Sequence, residues 1–234
     1  MTLADWNGRL LQTALQEPPS LTLEFYSYGV LLRKRIGESV SEYAVDPSQV
    51  AAALAAKVTF DTGLLNAPTL LVRQEGLRKL VVEYRAPQKI GLYVDGSDIP
   101  LRVPMPGLLL MRYTIDHERP KYGVYAVKKR PDTLAIPLFS APLPNVGTMG
   151  GICWGTVRLA SQQALQGCTL REDWSVLLGS PFGDHSVNGK SQSHPADIRQ
   201  LLIALEKRKA RVYPKRDLVP LGQTLAEMMT EVWR

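Results

Sequence analysis

Cysteine and histidine are scarce in this 234-residue chain, with two copies of one and three of the other. Two cysteines are too few for a disulfide scaffold in a chain this long. Cys153 and Cys168 lie fifteen residues apart, whereas a zinc site draws on close pairs such as C-x2-C. One reactive thiol and one bystander, in a reducing compartment, is the expectation. Long apolar runs are also missing: the longest, around Leu108 to Met111, is strand-sized and far below the ~18 residues a membrane helix needs. Asp5 and Arg9 interrupt the first ten residues, which lack the apolar core of a signal peptide, so a cytoplasmic address is expected. Neither a Walker-type phosphate loop nor a dinucleotide fingerprint occurs.

What is present is an ordinary globular composition, 45% hydrophobic, with a net charge of +6. That balance favours acidic partners without naming one. Six of the ten residues from Lys207 to Arg216 are basic. A nucleic-acid surface wants basic residues on one face with stacking aromatics, and only Tyr213 is near. A solvated helix end is the simpler reading, and nucleic acid is not an expected partner.

The first half reads as strands broken by turns. Leu21, Leu23 and Phe25 alternate with polar residues, and Val30 to Arg35 runs back after Gly29, which predicts a hairpin. Asp46-Pro47-Ser48-Gln49 then opens a helix reaching Lys57, with Asp at the N-cap and Pro at the first helical position. Strands are expected at Leu70 to Arg73, Lys79 to Arg85, Lys89 to Val94, Leu108 to Tyr113 and Tyr122 to Lys128, joined by turns as an antiparallel meander. Pro131 to Gly151 follows neither period and reads as an ordered loop anchored by Leu134, Ile136, Leu138 and Phe139. The last third is helical: Ile198, Leu201, Leu202 and Leu205 make one stripe, opened by Ser193 and Pro195, and Leu221, Leu225, Met228, Met229 and Val232 make another. Between helices, Gly183 to Ser191 reads as a flexible loop. Sheet first and helices after is an α+β order.

The chemistry concentrates in Leu143-Pro144-Asn145-Val146-Gly147-Thr148-Met149-Gly150-Gly151-Ile152-Cys153-Trp154-Gly155. A cysteine on a glycine-rich extended loop is accessible. Asn145, eight residues earlier and pinned by Pro144, can fold back to offer its amide to a developing oxyanion. The thiol then serves as an acyl carrier, gaining an acyl group and losing it to an amine. Cys168 reads as a packing thiol. Asp173, Asp184 and His185 lie downstream and are candidates to orient the amine, although no motif singles one out. His117 and His194 read as a turn residue and a helix-start residue.

This segment resembles the ubiquitin-conjugating enzymes, which carry His-Pro-Asn-Val or His-Pro-Asn-Ile, a loop, and Gly-x-Ile-Cys-Leu with the same Asn-to-Cys spacing. Pro144, Asn145, Val146, Gly150, Ile152 and Cys153 match, and the resemblance spans roughly Leu70 to Arg234. Leu143 departs from the family's His, which supports loop geometry, and Trp154 departs from its leucine. The Ile-Cys-Trp-Gly form and the long N-terminal extension are similar to one bacterial branch, prokaryotic family D, and within it to the PRTRC system protein B group of mobile-element cassettes.

The resemblance implies a ubiquitin-conjugating-enzyme-like antiparallel meander with C-terminal helices over residues 67–234. A hairpin-and-helix extension would occupy residues 1–66. It implies that Cys153 takes the C-terminal carboxyl of a ubiquitin-like protein as a thioester, and that Asn145 stabilises the oxyanion during aminolysis. The implied partners are that ubiquitin-like protein, a ThiF-like adenylating enzyme that spends the ATP, and a JAB-type peptidase of the same cassette. No cofactor is implied for this chain. Two rivals remain open: a non-catalytic ubiquitin-like-binding module of the same fold, and a cysteine hydrolase using His185 or His194 as base. The hydrolase reading lacks the upstream Gln of papain-like peptidases, since position 147 is Gly.

Overall fold

The computed structural model of the chain describes residues 18–55, 67–76, 78–94, 97–115, 118–155, 157 and 167–233. The chain divides into two compact units, Met1–Asp61 and Thr62–Arg234. Lys57 and His117 lie outside the described residues.

The first unit holds β1 (Leu21–Tyr26), β2 (Gly29–Ile36), β3 (Ser39–Val45) and α1 (Pro47–Ala55). The expected hairpin is the β1–β2 pair, with Phe25 opposite Val30. A third strand, β3, extends it. Most of β3 is exposed, so no apolar alternation marks it in the sequence. Asp46 opens α1 as anticipated: its carboxylate accepts from the Ser48 N–H at 2.8 Å.

The second unit is built on a six-stranded antiparallel sheet. Its strands are β4 (Thr69–Glu75), β5 (Arg78–Arg85), β8 (Gly107–Ile115), β9 (Lys121–Val127), β10 (Pro137–Ser140) and β11 (Pro220–Thr224), in spatial order β11-β10-β9-β8-β5-β4. The meander is therefore interrupted. β5 pairs directly with β8, and the intervening β6 (Gln88–Leu92) and β7 (Leu101–Met105) form a hairpin of their own. Three of these strands are absent from the sequence reading. β10 and β11 are short and each starts at a proline, while β7 carries Pro104, and proline depresses a strand signal. The Pro131 to Gly151 stretch is thus not all loop, because β10 lies within it.

Both sheet faces are covered, which explains why Leu108 to Met111 reads as a continuous apolar run rather than an alternation. Val81, Leu108, Leu110, Val124 and Ala126 face a core shared with α2 (Arg171–Gly179), α3 (Ile198–Lys207) and the β6–β7 hairpin. Leu80, Val82, Leu109, Met111 and Tyr125 face the opposite way, against α4 (Leu225–Trp233). The stripe of α3 is buried as expected. Its N-cap, however, is Asp197, whose carboxylate accepts from the Arg199 N–H, rather than Ser193. Leu221 belongs to β11, so α4 begins later than its apolar stripe suggests.

Two buried polar groups on the α2 face lock that helix to the sheet. Glu83 accepts from the Leu170 N–H at 2.8 Å, at the helix start. Arg112 and Asp173 form an ion pair at 2.7 Å with both side chains about 1% exposed. Tyr122 donates to the other Asp173 oxygen at 2.6 Å. Burial, reinforced by that carboxylate, raises the Tyr122 phenol well above its ordinary pKa, so it remains a donor. Removing one member of a buried, hydrogen-bonded pair strands the other's charge in a dry environment. Asp173→Ala should therefore lower stability by about 3–5 kcal/mol in urea unfolding. A loss within about 0.5 kcal/mol, typical of a surface change, would show that the pair does not anchor α2.

Candidate active site

Residues Asn145 to Cys153 fold as a tight loop stitched to the sheet where β10 stops. Val146 bridges Ile152, and Gly151 bridges Gly123 of β9. The Gly150 carbonyl accepts from the Val124 N–H at 2.9 Å. Gly150 has φ +88°, and a Cβ there would run into the Tyr125 ring, so glycine is required at this point. Ile152 packs on the core and Trp154 packs edge-to-face on Tyr122, with ring centroids 5.1 Å apart. Between these two anchored side chains, Cys153 is exposed.

Asn145 is the hub of the loop. Its φ of +58° is left-handed, a conformation Asn tolerates better than other non-glycine residues. In that conformation its carbonyl accepts from the Cys153 N–H and its own N–H donates to the His185 carbonyl, each at 2.8 Å. Its side-chain amide donates to the Pro181 carbonyl at 3.1 Å. Its amide oxygen accepts from the Gly183 N–H at 3.3 Å. One residue thus joins the Cys153 strand to the segment after α2. That segment is also pinned from behind, because the Phe182 N–H donates to the Tyr93 carbonyl at 2.7 Å and its ring is buried. The Gly183 to Ser191 loop, expected to be flexible, is tethered along its length.

A cleft of about 200 Å³ opens between the two segments. Asn145, Ile152, Cys153, Trp154, Leu177, Pro181, Phe182 and His185 are among its lining residues. The structure therefore gathers Asn145, Cys153 and His185 in one place. It sets Asp173 apart, committed to Arg112 and Tyr122 beneath the surface. Asp184 is exposed but does not line the cleft, and neither does His194, whose ring bonds Ser193. Cys168 is half-buried and also lies elsewhere. Among the described residues, no three His, Cys, Asp or Glu side chains converge as a metal site would need.

One site residue was not anticipated. Lys190 is fully buried, and its ammonium donates to the Leu143 carbonyl, just ahead of Pro144 and Asn145. Leu143 itself is buried in the core. The loop is thus supported at Leu143 by a lysine reaching in from another segment. The sequence offers no signal for this, since a buried lysine and a surface lysine look alike in a polar Asn188-Gly189-Lys190-Ser191 context.

Residues 48–221 match the family described as prokaryotic E2 family D. The chain belongs to that family. The match reaches upstream of Leu70, where the sequence resemblance begins, into α1 of the first unit. No match is found among curated proteins or among solved structures. A prokaryotic E2 has a ubiquitin-conjugating-like role, and the α+β fold with its antiparallel sheet agrees with that assignment. No helix among the described residues is long and apolar enough to cross a membrane.

Burial lowers the Lys190 ammonium from 10.5 to about 7. Between those values the unfolded chain binds more protons than the folded one, so this group makes stability rise with pH. Lys190→Met should abolish that contribution. The measurement is the difference in urea unfolding free energy between wild type and variant at about pH 7 and about pH 10. The wild type should gain relative to the variant as pH rises. An unchanged difference would mean that the fold does not lower the Lys190 pKa.

Proposed function

We propose that this prokaryotic E2 carries an activated ubiquitin-like protein as a thioester on Cys153 and passes its acyl group to an amine. The observation that supports this reading most is the convergence of Asn145 and Cys153 on one cleft, with the Asn145 carbonyl bonded to the Cys153 N–H. An exposed thiol can meet a partner's bulky C-terminus, which a buried one cannot. A primary amide has two hydrogens to donate. Pro181 takes one from Asn145, which leaves the second for the oxygen of a tetrahedral intermediate.

The steps follow from these groups. The Cys153 thiolate attacks the activated carboxyl carbon supplied by an adenylating enzyme of ThiF type, and AMP leaves. The resulting thioester is then attacked by an amine; the carbonyl oxygen gains charge, the Asn145 amide stabilises it, and the thiolate departs. The ubiquitin-like protein, the adenylating enzyme and a JAB-type peptidase are the partners expected if the chain belongs to the PRTRC system protein B group of mobile elements.

The test is to incubate the protein with ATP, the adenylating enzyme and the ubiquitin-like protein from its gene neighbourhood, and to resolve the products without reductant. Wild type should form a thiol-sensitive adduct that Cys153→Ala abolishes. Asn145→Gly accommodates the left-handed backbone while deleting the amide, so it should still charge but discharge to lysine about 10²–10³-fold more slowly. Absence of a wild-type adduct with an active adenylating enzyme would favour a non-catalytic module that binds ubiquitin-like proteins.

A further inference from the structure

A lysine acceptor reaches a thioester in the wrong protonation state. With an ordinary pKa near 10.4, only about one lysine in a few thousand is a free amine at neutral pH. The site therefore needs a group that removes this proton beside the thioester. Conjugating sites can meet that need with a carboxylate, but both downstream carboxylates considered above are excluded by position: Asp173 is bound to Arg112 and Tyr122, and Asp184 does not line the cleft. Of the described residues that line it, only Cys153 and His185 carry titratable side chains.

The placement of His185 is built rather than incidental. Its carbonyl receives the Asn145 N–H at 2.8 Å, so its backbone is held by the same residue that holds the backbone of Cys153. On one side, the Asn145 amide and the Tyr93 carbonyl fix Pro181 to Gly183. On the other, Ser186 turns through a left-handed φ of +51°, and the Val187 carbonyl is tied to the Ile198 N–H at the start of α3. The His185 side chain is exposed on the cleft wall, where an acceptor can approach.

We infer that the His185 imidazole is the general base that deprotonates the incoming lysine. The imidazole takes one proton from the lysine ammonium and later releases it to water. The freed nitrogen lone pair forms the new C–N bond at the thioester carbon while the carbonyl π electrons move to oxygen. When the carbonyl re-forms, the C–S bond breaks and its electron pair leaves on Cys153 sulfur. The Cys153 thiolate takes the second nitrogen proton, and the third remains on the amide. His185 acts on a thioester held by Cys153, so this role rests on the carrier reading.

The experiment separates the two. Cys153 is acylated by exchange with a short glycine-terminated peptide thioester, and intact-mass spectrometry follows the adduct, with Cys153→Ala as the control for site. Discharge is then timed with free lysine and with hydroxylamine, which is already unprotonated at neutral pH. His185→Gln should slow discharge to lysine by about 10²-fold or more and leave discharge to hydroxylamine unchanged. Equal slowing of both would mean that the substitution distorts the cleft, and would overturn the base assignment. Lysine discharge at the wild-type rate would overturn it as well. Failure of wild-type Cys153 to accept the peptide acyl group would instead count against the carrier reading itself.

Discussion

The Arg112–Asp173 ion pair is the constraint on which the rest of the second unit depends. It joins the central strand β8 to the first turn of α2 in a place from which water is excluded. Two charges taken out of water are stable there only because the geometry is complete. Tyr122 fills the remaining carboxylate oxygen, and the Gly167 carbonyl takes a further Arg112 N–H. The same Tyr122 ring supports Trp154, the residue after Cys153. A single buried network therefore orients both walls of the cleft: one through α2 and the chain that leaves it, the other through Tyr122.

Asn145 converts that orientation into a site. Its left-handed backbone turns its N–H toward one wall and its carbonyl toward the other, so the two segments are joined by hydrogen bonds through one residue. Lys190 supports the approach to it from below. Burying an ammonium is costly, as its lowered pKa records. The fold tolerates this at the carbonyl of Leu143, the position at which the resemblance to the ubiquitin-conjugating enzymes implies a histidine. The lysine that bonds this carbonyl lies 47 residues downstream.

The motif was legible because its parts are local. Asn145, Gly150, Ile152 and Cys153 sit within nine residues, and each has a requirement that residue type reveals: a left-handed turn, an absent Cβ beside Tyr125, an apolar anchor and a thiol. The strands β4, β5, β8 and β9 were legible as runs of apolar and β-branched residues bounded by turns, and the helix α3 from the period that burial imposes on its side chains. β7, β10 and β11 escaped because their identity comes from pairing with distant partners rather than from their own pattern.

The sequence by itself determined the family, the α+β order and the short Leu143 to Gly155 segment that resembles the conjugating-enzyme motif. These rest on local residue types and their spacing. Only the tertiary structure decided which downstream groups share the cleft. It sank Asp173 into a buried ion pair, left Asp184 outside, and placed His185 and Lys190 against the Asn145 loop. Those assignments follow from contacts spanning 40 to 61 residues of chain, and no periodicity or motif encodes a contact at that range.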